Sequence, residues 1–339
     1  MSGPAAIAST VFFNDEGEIR SGWRVLVFFI CFSIAATLLY GCASVLVILF
    51  PSLVFLIEGV SPAAEHLSLR ELIALSLGLL INLTAAIAAS WVCARLLERR
   101  SLASVGYKLH RGWLRDFSLG SILGAFSLGA AVAMATATGA VRFEINTSRS
   151  VTVAEGLMIS FFFFLLAGAF EEVAFRGFAF QALVHNTGAA AAILITSTLF
   201  GLAHLSNPNA SFFSTVNTIL AGAWLGIAYL MTRSLWLPTA LHYSWNFMMA
   251  YLFGLPVSGM SIFNQYALLR GSSLPPKLVS GGAYGPEGGA AATLALILST
   301  LVLWKSGIFR PSEEMLAGIQ HGKREPRFIS ISPDNQPGQ

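Results

Sequence analysis

Eight apolar runs organise the chain, near residues 25–50, 72–96, 117–140, 155–176, 188–204, 212–232, 236–254 and 288–305. Each approaches the roughly 20 mostly apolar residues that an α-helix needs to cross a hydrocarbon core, so the pattern predicts eight transmembrane helices. The first run is long enough to tilt or to extend past the bilayer. Between the last two runs, residues 255–287, with Gly281, Gly282, Gly285 and Pro286 and the following Gly288, read as turns outside the membrane. From about 306 the chain turns Pro-, Gly- and charge-rich without an apolar period, which predicts a disordered tail. Asp15, Glu16 and Glu18 precede the first run, an arrangement that does not fit a cleavable signal peptide. No tandem repeat of fixed length is visible.

Composition narrows the class further. Of 339 residues, 55% are hydrophobic and 11% charged, with a mean hydropathy of +0.70. A soluble domain carries about a quarter charged residues, so this chain cannot cover a water-facing surface. Disorder, collagen, coiled coil and a small disulfide scaffold are excluded by the same numbers. The expectation is an all-α polytopic membrane protein: a cytoplasmic segment 1–24, helices over 25–150, a second group of helices over 151–305 and a tail over 306–339. Cys31, Cys42 and Cys93 lie inside apolar runs at irregular spacing, neither a disulfide framework nor a zinc pattern, and read as small packing residues.

Charge sets orientation rather than partner. A net charge of +3 gives no argument for nucleic acid. Counted by alternating side, 15 Lys and Arg fall with the two termini and 5 on the opposite side. The positive-inside rule then places both termini in the cytoplasm, which an even number of helices allows.

The informative residues are the polar ones inside apolar runs, where a charge costs about 2.5–3.5 kcal/mol on insertion scales and is a functional candidate by default. Three places break the pattern. In Phe170-Glu171-Glu172-Val173-Ala174-Phe175-Arg176-Gly177, Glu172 and Arg176 share a helix face at i, i+4 and can neutralise each other. Glu171 is rotated about 100° away and has no local partner. A lone carboxyl in apolar surroundings suits general acid or base work; the alternative is a structural clamp of two acids on one arginine. The second place is Phe200-Gly201-Leu202-Ala203-His204, followed by Asn207-Pro208-Asn209. The third is His242-Tyr243-Ser244-Trp245-Asn246, with His and Asn on one helix face, where the alternative is helix-to-helix glue.

Together Glu171, His204, His242 and Asn246 supply a carboxylate, two imidazoles and an amide donor, an inventory for activating water and stabilising an oxyanion. Glu171, His204 and His242 equally suit an open zinc site. His-Glu-x-x-His, Gly-x-Ser-x-Gly and Gly-x-Gly-Asp are missing from the sequence.

Glu171-Glu172-x-x-x-Arg176, Phe200-x-x-x-His204 and His242-x-x-x-Asn246, in this order and spacing, resemble the three motifs of the CAAX-protease and bacteriocin-processing (CPBP, Abi) family of membrane proteases. The resemblance covers roughly 150–255, and the segment Gly281–Gly289 also looks like bacterial members. It implies an eight-helix bundle around a polar cavity in a bacterial inner membrane. It implies hydrolysis of a peptide bond in a peptide or protein substrate, prenylated in eukaryotic relatives, with membrane lipids as the other partner. Position by position, it implies that Glu171 and His204 activate the water, that His242 and Asn246 hold the oxyanion, and that Glu172, Arg176 and Phe200 shape the site. It leaves a metal such as zinc and a metal-free glutamate mechanism both open.

Helix arithmetic adds one expectation. If the fourth helix ran unbroken to about His185, Glu171 would lie roughly 21 Å from its end and His204 about 24 Å along the returning helix, so the two would meet. His242, a few residues past its own turn, should then sit shallower, unless its helix starts deeper at Pro238. The rival readings are a proton-coupled transporter, which midplane Glu, Arg and His would suit but which lacks a visible inverted repeat, and a non-catalytic scaffold.

Overall fold

A computed structural model describes residues 11–14, 17–56, 67–149 and 151–320. Asp15, Glu16 and residues 321–339 of the expected tail lie outside the described residues. All eight apolar runs are helical. They form α1 (Ser21–Leu49), α2 (Leu69–Leu97), α3 (Trp113–Ala137), α4 (Val153–Arg176), α6 (Ala189–Ala203), α7 (Phe212–Thr232), α8 (Trp236–Phe247) and α9 (Ala290–Lys305). Between α4 and α6 lies α5 (Phe178–Thr187), and α10 (Glu313–Gln320) follows α9. The protein is an all-α polytopic membrane protein. Five of the described helices are long and apolar enough to cross a membrane, the unit Val153–Thr187 among them. Of the other runs, α6 has 15 residues, α9 has 16 and α8 has 12 before a π-type turn at Met248–Leu252.

Local chemistry fixes the starts of the helices. Ser68 with Glu71, Thr152 with Glu155 and Ser211 with Ser214 form capping boxes that satisfy the first free N–H groups of α2, α4 and α7. Gly177 sets the break between α4 and α5. Its backbone leaves the helix at φ −70°, ψ −135°, and a Cβ there would collide with the Val173 carbonyl.

Large apolar side chains such as Ile34, Leu38 and Ile48 on α1 stay exposed, as lipid contact requires. Inside, one cluster joins α3, α7, α8 and α9 through Leu128, Trp224, Leu241 and Leu296, and a second joins α1, α2 and α5 through Phe28, Cys93 and Phe178. The three cysteines are free; Cys93 is buried and Cys31 packs beside its cluster, whereas Cys42 is exposed on α1 rather than packed.

Three features differ from the sequence expectation. Val141–Ile145 (β1) pairs antiparallel with Leu269–Ser273 (β2), Val141 opposite Ser273 and Ile145 opposite Leu269, so part of the 255–287 connection is a strand. Residues 306–320 are folded onto the bundle rather than opening a disordered tail. Phe309 and Met315 are buried there, and Arg115 donates to the Ile308 carbonyl at 3.0 Å. Finally, Arg24 and Arg100 are not simply solvated topology charges. Arg24 is 3% exposed and meets Glu98 at 2.9 Å and Glu18 at 3.1 Å, while Arg100 reaches the other oxygen of Glu98 at 2.8 Å and Gln181 at 2.8 Å.

Candidate active site

The last two turns of α4 present Glu171, Glu172 and Arg176 to α7 and α8. Glu172 and Arg176 are fully buried and joined at 3.0 Å. A buried guanidinium needs further partners to offset its lost hydration. It donates a second bond to the Gly222 carbonyl on α7 at 3.0 Å, and its Cζ stands 4.6 Å from the centre of the Phe200 ring. Gly222 also lets α7 approach α6 closely, since a Cβ there would press on Ser197 at about 3 Å. Nothing in the sequence pointed to the Gly222 carbonyl; the small-residue string Ala221-Gly222-Ala223 was its one available sign.

Glu172 has a second partner, 70 residues away. His242 Nδ1 donates to the same Oε1 at 2.8 Å. A carboxylate only accepts, so this bond assigns the Nδ1 proton and turns Nε2 toward Glu171 Oε2 at 3.8 Å. His204 is the residue that caps the C-terminal end of α6. Its Nδ1 donates to the Phe200 carbonyl at 2.7 Å, and its Nε2 faces the same Glu171 oxygen at 4.0 Å. Two imidazoles, one on α8 and one just past the end of α6, are therefore each fixed at Nδ1 and directed at one carboxylate through Nε2. The Phe200 ring packs against both.

Exposure rises through the group: the side chains of Glu172 and Arg176 are at 0%, His242 at 10%, His204 at 17% and Glu171 at 27%. Glu171 is thus the acid at the accessible end, while Glu172 is the internal anchor. Asn246 lies one turn beyond His242 on α8 and is half-buried. Glu171 Oε2, Glu172 Oε2 and Arg176 Nε are buried without a hydrogen-bond partner among the described residues.

His242 does not sit shallower than Glu171. Ser234 and Leu235, at the turn before α8, are buried beneath residues 105–108, with Trp236 half-buried. Gly106 accepts from the Leu235 N–H at 3.0 Å and from Ser234 Oγ at 3.2 Å, and the Lys108 carbonyl accepts from the Trp236 indole at 3.1 Å. These carbonyls satisfy polar groups at a helix start that would otherwise need water, so α8 begins inside the protein. Pro238, third in that helix, lacks only an N–H that has no intrahelical partner.

Among the described residues no three His, Cys, Asp or Glu side chains are grouped as a metal site requires. The Nε2 atoms stand 3.8 and 4.0 Å from Glu171 Oε2, wider than the roughly 3.3 Å between neighbouring ligands held about 2.0–2.1 Å from a tetrahedral zinc. As placed, Glu171, His204 and His242 do not fit zinc.

The sequence profile of a family described as type II CAAX prenyl endopeptidase Rce1-like matches residues 153–248, a span that takes in Glu171, Glu172, Arg176, Phe200, His204, His242 and Asn246. No curated protein matches the chain.

Proposed function

We propose that this chain is an intramembrane endopeptidase of the CAAX-processing type, hydrolysing a peptide bond with a water activated by Glu171 and His204. The observation that carries the proposal is the convergence of His204 Nε2 and His242 Nε2 on Glu171 Oε2, within the segment that matches a protease family. Separations of 3.8 and 4.0 Å exceed a direct hydrogen bond, so the two imidazoles face Glu171 Oε2 without being bonded to it, and the attacking water enters as the groups part around it.

In this reading the Glu171 carboxylate takes a proton from the water as its oxygen attacks the scissile carbonyl carbon. His204, its Nδ1 proton committed to the Phe200 carbonyl, accepts the water's other hydrogen through Nε2 and orients it. The oxyanion receives the amide N–H of Asn246 and, when the ring carries a second proton, the Nε2–H of His242. Collapse of the tetrahedral species breaks the C–N bond, and the proton held on Glu171 passes to the leaving amine. Glu172 does not touch the substrate; it fixes the ring of His242, and Arg176 balances its charge.

The substrate is a peptide or protein segment at the membrane, with a lipid-modified one the first class to test. The 15 to 5 charge asymmetry supports an orientation with both termini cytoplasmic. Purified protein in liposomes, offered lipidated and plain peptides and read by mass spectrometry, tests the function. Wild type should yield defined fragments, and Glu171→Gln, which keeps the shape and removes the base, should yield none. Fragments formed equally by Glu171→Gln would remove Glu171 from the mechanism. No cleavage at all, together with solute-driven proton flux, would favour a carrier.

A further inference from the structure

The glycine-rich segment Gly281–Gly289 takes no part in the steps above, yet it packs against the chain next to His204. His204 has left α6, its backbone at φ −96°, ψ 1°; the Nδ1 bond to the Phe200 carbonyl at 2.7 Å ties its ring back to α6, and the turn that follows sets where its backbone lies. The His204 and Leu205 N–H groups bond back to the Gly201 and Leu202 carbonyls of α6 at 3.2 Å, and beyond them the turn is closed by Asn207 N–H to the His204 carbonyl at 3.1 Å and Ala210 N–H to the Asn207 carbonyl at 3.2 Å. Leu205 in the turn is 53% exposed, and Phe212, where α7 begins, 86%. The turn meets the 255–289 loop at Pro208. Gly259, at φ +86°, lies flat on the Pro208 carbonyl, where a Cβ would collide. The Tyr284 phenol stands beside the side chains of Asn207, Thr218 and Ser258.

The loop is anchored independently of α6. Gly259 N–H donates to the Tyr284 carbonyl at 2.8 Å, and Ser258 donates through N–H and Oγ to Glu287 at 2.7 and 2.8 Å. On α7, Asn217 donates to the carbonyls of Glu287 and Gly289 at 2.8 and 3.0 Å, and it accepts from Thr293 of α9 at 2.7 Å.

We infer that the 255–289 loop is a clamp in which Gly259 and Tyr284 are positioning residues, seating the Asn207–Pro208 turn and thereby aiming His204 Nε2 at Glu171. The inference rests on the reading of His204 as part of the site. Its chemical meaning is that the loop sets the approach of the water-orienting imidazole without touching substrate.

The test measures His204 directly, so it does not depend on finding a substrate. Full-length protein in detergent is treated with diethyl pyrocarbonate, and carbethoxylation of each histidine is followed by peptide mass spectrometry. Gly259→Ala should raise the rate at His204 several-fold, and Tyr284→Phe, which removes only the phenol oxygen, should raise it less. His110, 2% exposed, reports whether the fold survives and should stay unreactive. Gly188→Ala is the strain control, since Gly188 has φ +85° but nothing within 4 Å of an added Cβ; it should leave His204 at the wild-type rate. Should Gly259→Ala expose His110, Tyr284→Phe decides alone. An unchanged His204 rate in folded variants, or an equal rise in Gly188→Ala, overturns the clamp. On a fluorogenic farnesylated CAAX peptide, the folded clamp variants should lose up to about 10²-fold in kcat with KM little changed, the cost of a misplaced group. If wild type cleaves no peptide, the proposed activity fails while the histidine rates still judge the clamp.

Discussion

Replacing Glu172 by Gln keeps the side-chain shape and removes one negative charge from a fully buried position. Arg176 Nη1 is 3.0 Å from Glu172 Oε1, and both side chains are at 0% exposure. The Gly222 carbonyl and the Phe200 ring remain in both proteins, so they cancel in the comparison. What remains is the loss of one partner of a buried ion pair, about 3–5 kcal/mol. For a chain of this size that corresponds to a fall in melting temperature on the order of 10 °C. Tryptophan fluorescence during heating in detergent measures it, the chain having 7 Trp. The companion variant, Glu172→Gln with Arg176→Met, removes both charges and should recover most of the lost stability, because apolar replacement of a whole buried pair is often neutral. Cleavage should not recover with it, since His242 Nδ1 has then lost the carboxylate that receives its proton at 2.8 Å. If Glu172→Gln melts with the wild type, or the double variant melts below the single one, the pair does not carry the charge balance argued here.

Asn246→Ala should lower kcat by about 10²–10³ while KM changes little, because an oxyanion contact strengthens in the transition state; steady-state kinetics with a cleaved peptide decide, and a change confined to KM would count against the role. Cleavage should persist after treatment with a zinc chelator, given ligand atoms spread too widely for zinc; loss on chelation that added zinc reverses would instead require the three side chains to close around a metal. With Cys42 replaced, a cysteine at exposed Arg270 should react with an impermeant maleimide on intact cells and one at exposed Ser101 should not; the reverse labelling would invert the topology.

The helices were legible because apolar length is a local property, and so was the i, i+4 pair of Glu172 and Arg176. β1 had a local sign as well, the alternation Val141-Arg142-Phe143-Glu144-Ile145, masked by the strongly apolar chain around it. What escaped the sequence is long-range. The bond between His242 and Glu172 joins residues 70 apart, and no local period encodes it. The level of His242 depends on the Gly106 and Lys108 carbonyls, which are backbone groups that every residue supplies. The folded stretch 306–320 read as tail because its anchors, Phe309 and Met315, are isolated apolar positions that gain meaning only against α3 and the preceding loop.

The buried start of α8 bears on how the chain is assembled. A helix of 12 residues is about 18 Å long, short of a hydrocarbon core of about 30 Å. It also carries His242 and Asn246, and its first turn hands its polar groups to a loop between α2 and α3. Such a segment gains little from partitioning into lipid by itself. Its partners are α3 and α4, both made earlier on the ribosome and both among the helices able to cross a membrane alone. Insertion of α8 is therefore a templated event: the earlier helices enter first and present the crevice, and the part of the chain that bears His242 leaves the aqueous phase only by docking into it.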